Sequence, residues 1–289
     1  MMNWIAAFLR SISARQVGED RWIVQKFLKI FYGISVILHK IVPGGQTNTI
    51  IIDNFDRDLR LKIDHSRSMG AAIYWSGFHE FHEFLFLHKF LTEDMVFVDV
   101  GANLGEYTLF AAKRLTQGKV LAFEPLPKMN SLLDENVSLN HFKNVSILHY
   151  GLSDNNGILP IHEIESEHEG LSTFYPGDRK IKNRIDVPLK SFDKEFDYFE
   201  IARIDFVKMD IEGGELNALK GAKKSIDRFK PVVMIEINAP TYKAAGYSVD
   251  DVYQFFESLN YRPYKINKQG NLEVSTNKPH FANIVFKPS

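Results

Sequence analysis

Residues 95–124 read MVFVDVGANLGEYTLFAAKRLTQGKVLAFE, and the order of their segments decides the fold. Met95 to Val100 is a short apolar, β-branched run bounded by glycine, the signature of a buried strand. It passes through Asp99-Val100-Gly101-Ala102-Asn103-Leu104-Gly105 straight into a helix expected over Glu106 to Leu115. After Gly118 a second apolar strand, KVLAFE, completes the unit. Strand, glycine-bearing turn, helix and strand make a βαβ crossover, whose two strands run parallel.

The same alternation continues downstream. Pro127 to Asn140 reads as a helix, VSILHYGL as a third strand, IDFVKMD as a fourth and PVVMIEI as a fifth, with helices over Glu215 to Phe229 and Val249 to Leu259. The expected fold is therefore α/β, a doubly wound, Rossmann-like and mostly parallel sheet with helices on both faces, holding its ligand at the carboxyl ends of the strands. Two stretches interrupt the repeat. Residues 155–192 offer only short β-prone pieces (ILPIHEI, LSTFY, IDVPL), which suggests an inserted hairpin or substrate loop. RPYKIN and ANIVFK, separated by Gly270, suggest a closing antiparallel hairpin.

Upstream, Gly77 is expected to open a helix, FHEFHEFLFLHKFL, and TIIIDNF and LRLKIDHS flank the turn Asp56-Arg57-Asp58 as a hairpin. From Arg21 to Ile41, Ile23, Phe27, Phe31, Ile34, Ile37, Leu38 and Ile41 recur at three- and four-residue steps, one stripe of an amphipathic helix that Pro43-Gly44-Gly45 ends. That stripe suits packing on the rest of the chain or on a second copy in a homodimer; Lys26, Lys29 and Lys40 beside it also allow weak contact with a membrane surface. The division expected is an N-terminal helical and β extension over 1–75 and one catalytic domain over 76–289.

Composition narrows the function. Thirty-five Lys+Arg against thirty-six Asp+Glu give a net charge of −1, with no basic field to hold a nucleic-acid backbone. The absence of cysteine removes disulfides, thiolate metal sites and cysteine nucleophiles. No basic n-region precedes the apolar WIAAFL, and the apolar stretch from Phe31 to Leu38 is far short of the roughly 20 residues that span a bilayer. A cytoplasmic location without a transmembrane segment is the expectation.

Chemistry concentrates at the strand ends. Gly101 and Gly105 let the backbone approach a ligand at a helix N-terminus, and Glu124 ends the next strand, where a carboxylate can accept both hydroxyls of a ribose. The spacing is G-x-x-x-G, with Asp99 two residues ahead, rather than the G-x-G-x-x-G that cradles a dinucleotide pyrophosphate. S-adenosylmethionine carries an ammonium, a carboxylate and a sulfonium but no phosphate, so the acidic surroundings favour it over NAD. Asp154, after the third strand, lies where an adenine amino group can donate, although Asp154-Asn155-Asn156-Gly157 reads equally well as a plain turn. The fourth strand ends in Lys208-Met209-Asp210-Ile211-Glu212-Gly213-Gly214-Glu215. Glu215 is expected mainly to stabilise the following helix N-terminus, whereas Asp210, and Glu236 at the end of the fifth strand, face the crevice. In His79-Glu80-Phe81-His82-Glu83 the histidines are three apart, not four as in H-E-x-x-H, so this helix is read as packing through its phenylalanines and leucines, its polar residues facing out or rimming the pocket.

FVDVGANLGEYTLFAA, AFEPLP, GLSDNNG, VPLKSFD, VKMDIEGGELNALKGA and PVVMIEIN together resemble, in order and spacing, the FkbM-type S-adenosylmethionine-dependent methyltransferases, over about Gly77 to Asn238. The resemblance implies a class I methyltransferase fold with a seven-stranded sheet and O-methylation of a hydroxyl on a sugar, glycan or secondary metabolite. It places Asp99, Gly101, Asn103 and Gly105 at the methionine end of the cofactor, Glu124 at the ribose, Asp154 near the adenine, and Asp210, Glu212 and Glu236 near the transferred methyl group. In-line transfer requires the acceptor oxygen at near-contact distance and the loss of its proton, so a base or a divalent metal is expected. The candidates are Asp210, Glu236, His162 and His168, the histidines sitting in a charge-rich loop that also reads as a solvated face. Asp210 and Glu236 with water suit Mg²⁺-type oxygen ligation, which the sequence does not require. The alternatives are an NAD-dependent oxidoreductase, which the glycine spacing disfavours, and a noncatalytic nucleotide-binding module.

Overall fold

The computed structural model describes residues 2–19, 49–165 and 172–289. Helix α1 (Met2–Glu19) is followed among the described residues by the hairpin β1 (Thr49–Phe55) and β2 (Leu59–Asp64), then by α2 (Ser68–Ser76) and α3 (Phe81–Phe90). The repeating unit comprises β3 (Val96–Val100), α4 (Glu106–Arg114), β4 (Lys119–Phe123), α5 (Pro127–Leu139) and β5 (Val145–Leu148). Next come β6 (Gly151–Leu152), β7 (Gly157–Ile164), β8 (Ser172–Thr173), β9 (Ile181–Lys190) and the short α6 (Phe192–Glu195). The chain continues through β10 (Phe206–Met209), α7 (Glu215–Gly221), α8 (Lys223–Phe229), β11 (Val232–Asn238), α9 (Ala239–Ala244) and α10 (Val249–Ser258). It closes with β12 (Tyr261–Ile266), β13 (Leu272–Val274) and β14 (Phe281–Pro288).

The main sheet has the order β13-β12-β14-β11-β10-β3-β4-β5. β5, β4, β3, β10 and β11 are parallel, and β14 runs antiparallel between β11 and β12. This is the Rossmann-like class I arrangement that the resemblance implies, with eight strands rather than seven because β13 adds an edge strand to β12. Strand order reverses between β3 and β10, so the helices and loops leaving their carboxyl ends diverge and open a crevice. The inserted region is a second sheet of order β6-β9-β7-β8. VSILHYGL, expected as one strand, divides: β5 stays in the main sheet, and Gly151-Leu152 leaves to pair with Leu189-Lys190 of β9.

Two helix expectations are corrected. Gly77 does not open a helix; at φ 84° it ends α2, its N–H donating to Ile73 O, and α3 begins only at Phe81. The helix expected over 215–229 is two, because Asp193 accepts the N–H groups of Lys224 and Ser225 at 2.8 and 2.9 Å and so caps α8 separately. The helix expected over 21–41 lies outside the described residues.

The extension and the domain share one core. Ala6 and Val17 of α1 and Ile52, Phe55 and Leu61 of the hairpin join Phe84, Phe110 and Leu133 in a single buried cluster. Arg10 spends its guanidinium on Tyr74 O at 2.6 Å and Asn54 Oδ1 at 2.7 Å, which accounts for a buried arginine in α1. Asp56, almost fully buried in the hairpin turn, is paired by Arg114 of α4 at 2.6 Å. Among the described residues, no helix is long and apolar enough to cross a membrane.

Asn136 of α5 is fully buried and acts as a clip: its Oδ1 accepts Lys62 N–H at 2.7 Å, and its Nδ2 donates to Lys62 O at 3.2 Å and Leu104 O at 2.8 Å. Asn136→Leu leaves these three backbone groups without that partner, each worth about 1–3 kcal/mol when buried. A loss of at least about 2 kcal/mol in urea unfolding is the expected result, and an unchanged midpoint would mean that the hairpin is not held by this clip.

Candidate active site

Strand alternation builds the site. On one face of the sheet the apolar row Phe97, Val120, Phe206, Val232 and Met234 packs in the cluster beneath α3 and α4. The next inward positions toward the carboxyl ends are Asp99 on β3, Glu124 after β4, Lys208 and Asp210 at the end of β10, and Glu236 on β11. Side chains two apart on a strand share a face, so the oily row continues as a charged row. Register places Asp99 beside Lys208, and Asn283 of β14 beside Glu236. A cavity of about 310 Å³ opens there, walled by Gly101, Asn103, Glu106 and Tyr107 on one side and by Lys208, Asp210, Glu212 and Glu236 on another.

The turn after β3 requires its glycine. Gly101 has φ 84°, and a Cβ there would lie 2.1 Å from the Asp210 carbonyl oxygen, so this turn and the one after β10 touch through bare backbone. Gly105, at φ 97°, starts α4 and makes room for Leu133 rather than lining the cavity. Glu124 is 5% exposed and held at both oxygens, Oε2 accepting Asn103 N–H and Oε1 accepting Leu126 N–H, each at 2.9 Å. Asp99 is wholly buried; Oδ2 accepts the Thr108 hydroxyl at 2.6 Å and Oδ1 has no protein donor.

Beyond β10 the backbone turns back on itself with positive φ at Glu212 and Gly213, and Glu215 staples that turn. Its Oε1 accepts Ile211 N–H and its Oε2 accepts Gly213 N–H, both at 2.9 Å, which presents Asp210 and Glu212 toward Glu236. One oxygen from each of Asp210, Glu212 and Glu236 lies within 4.8 Å of the others, the spacing of a candidate oxygen-ligand set for a hard cation. Glu80 enters from the loop before α3, accepting the Tyr107 hydroxyl and Asn283 Nδ2, both at 2.6 Å. Lys208 is buried, with Nζ 3.4 Å from Asp210 Oδ2 and 4.9 Å from the Tyr107 ring centre.

So much buried acid shifts protonation. Burial pushes Glu106 up to about 8 and Glu124 up to about 7. Glu212 rises to about 7 through burial and then Asp210, and Glu236 to about 10 through burial reinforced by Asp210 and Glu212. Lys208 goes the other way round: burial opposes its charge, yet Asp210, Asp99, Glu80 and Glu236 outweigh that and raise its pKa, so it remains an ammonium.

Of the residues expected from the sequence, the structure brings Gly101, Asn103, Glu124, Asp210, Glu212 and Glu236 to one cavity, with Asp99 directly beneath. Asp154 sits exposed on the turn after β6, outside the lining, its carboxylate beside the Ser153 hydroxyl at 3.1 Å. His162 lies on β7, where Ile161 contributes to the cavity wall and alternation turns the histidine to the other face. His168 lies outside the described residues. Lys208, Glu80, Glu106, Tyr107 and Phe281 also line the cavity, and sequence reasoning assigned them no chemistry. The alternation Phe206-Lys208-Asp210 could have exposed Lys208; Glu80 was read only among polar residues facing out or rimming the pocket, and nothing local could have found Phe281, which arrives from a distant segment.

Residues 99–263 match the methyltransferase FkbM domain. Methyltransferase sdnD of Sordaria araneosa is 31% identical over 173 residues, covering 50% of this chain and 66% of that protein. Hexuronic acid methyltransferase AglP of Haloferax volcanii is 32% identical over 149 residues, covering 51% of this chain and 57% of that protein. The chain thus spans less than two thirds of either relative. A methyltransferase FkbM structure from Methylobacillus flagellatus superimposes with a TM-score of 0.46 at 18% identity, covering 68% of this chain and 44% of that one.

The raised carboxyls fix a pH dependence of stability. Below their ordinary value of 4.5, Glu106 and Glu124 are protonated whether folded or not; above it only the folded state keeps the proton, so their contribution is lost as pH rises toward about 7 and 8. Melting temperature of the ligand-free protein should fall between pH 5 and 9. Glu106→Gln, which imitates the protonated carboxyl, should melt at least about 2 °C above the wild type at pH 9. Equal melting of the two proteins at that pH would show that Glu106 ionises without strain.

Proposed function

This chain belongs to the methyltransferase FkbM domain family, and on that premise we propose that it methylates a hydroxyl oxygen of a sugar, glycan or secondary metabolite, using S-adenosylmethionine. The observation that carries the cofactor is a set of acceptor atoms with no protein donor: Asn103 Oδ1, Glu106 Oε2 and Glu212 Oε2 are buried in residues that line the same cavity. Buried acceptors call for a ligand that brings donors or positive charge. S-adenosylmethionine brings an ammonium, a sulfonium and ribose hydroxyls, and a nicotinamide dinucleotide would set a pyrophosphate against Glu80, Glu106 and Glu124 instead.

In this reading Gly101 and Asn103 receive the methionine end, Glu124 the ribose, and the apolar wall of Leu126, Met129, Ile161 and Phe174 the adenine. When bound, the cofactor supplies a methyl group on a sulfonium leaving group. The chain supplies the rest. Asp210, partly exposed and paired with Lys208, is the carboxylate placed to take the acceptor's proton. Glu236, crowded into its protonated form, can donate a hydrogen bond to an oxygen beside it. A Mg²⁺-type ion on Asp210, Glu212 and Glu236 is the second route, favoured by their mutual spacing. The name of the Haloferax relative supports a sugar acceptor.

Calorimetric titration with S-adenosylmethionine, S-adenosylhomocysteine and NAD, with and without Mg²⁺, tests this reading. Binding of the first two and not of NAD is expected; NAD binding alone would replace it with an oxidoreductase. With the first hydroxylated glycan that turns over, Asp210→Asn should cut turnover at least about 100-fold while S-adenosylhomocysteine affinity stays within about threefold. Equal loss in both would make Asp210 a residue that only positions the cofactor.

A further inference from the structure

Lys208 is the one lysine or arginine among the described residues that line the cavity, and it is 6% exposed. A buried lysine without an obvious need for its charge is unexpected, since desolvation of an ammonium is unfavourable. Charged or titratable groups reach it from each neighbouring element: Asp99 from β3, Glu124 after β4, Glu80 from the loop before α3, Glu106 and Tyr107 from α4, Glu236 from β11, and Asp210 and Glu212 beyond its own strand. Ion-paired with Asp210 at 3.4 Å and ringed by these acids, it stands as a fixed positive charge in the wall.

We infer that Lys208 is a positioning residue that sets the charge of the cavity against the cationic reactant and in favour of the neutral product. This rests on the methyltransferase reading. In methyl transfer the acceptor oxygen gains a C–O bond as the C–S bond breaks with its electron pair left on sulfur, and the hydroxyl proton passes to Asp210. The site starts with a positively charged ligand and ends with a neutral one and a protonated carboxyl. An acid-lined cavity without a countercharge would hold the sulfonium form tightly and oppose that discharge, because interactions equally present or stronger in the ground state do not accelerate reaction. The Lys208 ammonium offsets part of the acid and repels the sulfonium, while its ion pair keeps Asp210 ionised and aimed into the cavity to receive the proton.

The readout is the ratio of S-adenosylmethionine to S-adenosylhomocysteine affinity, measured by calorimetry on the whole chain at pH 8.5. A purely structural defect weakens both ligands together and leaves the ratio alone. Lys208→Gln should raise the ratio at least about threefold, the scale of one unit charge acting across a partly buried site. Lys208→Arg, which keeps the charge, should stay at the wild-type ratio. If Lys208→Gln does not fold, Asp210→Asn gives the same test with opposite sign, lowering the ratio, and the double variant Lys208→Gln/Asp210→Asn should restore it. Wild-type protein that binds both ligands while the single variants leave the ratio within twofold would overturn the inference about Lys208. Wild-type protein that binds neither would overturn the methyltransferase reading beneath it.

Discussion

Carboxylates crowd the carboxyl ends of one sheet face around a single ammonium, and keeping that charge out of bulk water is the constraint on which the other features depend. Each acid is answered by something specific. Glu124 has two backbone N–H groups, Glu215 two more, Glu80 a tyrosine hydroxyl and an asparagine amide, and Asp210 the Lys208 ammonium. Burial still pushes carboxyls toward their neutral form, Glu106 although its Oε1 accepts His79 N–H at 2.8 Å, and Glu236 where Asp210 and Glu212 crowd it. The apolar row on the same face, from Phe97 to Met234, supplies the low-dielectric floor that makes these arrangements consequential.

The backbone of the site follows from the same demand. Five parallel strands end together, and the turn after β3 lies against the Asp210 carbonyl because Gly101 has no side chain to hold them apart. That contact brings the amides of one turn and the acids of the other to a single cavity. The chain's two ends contribute too. α1 packs on α2, α3 and β1, β2 packs on α5, and β14 delivers Asn283 to Glu80, so elements far apart in sequence support the pocket.

The sheet was legible because buried parallel strands and crossover helices leave strong local periods: MVFVDV, KVLAFE and PVVMIEI all became central strands. The glycine turn, Glu124, Asp210 and Glu236 were legible for the same reason, since each sits where a readable strand stops. What escaped depended on long-range partners. α1 carries a buried arginine in place of a clean apolar stripe, intelligible only once Tyr74 O and Asn54 are beside it. The breaks at Gly77 and between α7 and α8 come from left-handed backbone and from Asp193, 31 residues before Lys224. Glu80 read as the rim of an amphipathic helix, and only the fold shows that both its oxygens are committed inside the pocket.

The small sheet is completed by a two-residue ladder, Gly151-Leu152 of β6 on Leu189-Lys190 of β9, and offers the cavity a few side chains, Ile161 and Phe174 among them. Its outer surface leaves Ile158, Leu159 and Ile181 exposed. It is tied to the charged row where the buried Thr173 hydroxyl of β8 donates to Glu212 O at 2.6 Å. Substitutions at Ile158, Leu159 or Ile181, whose side chains face solvent, can therefore change the outer surface of this module without touching the charged row beneath it.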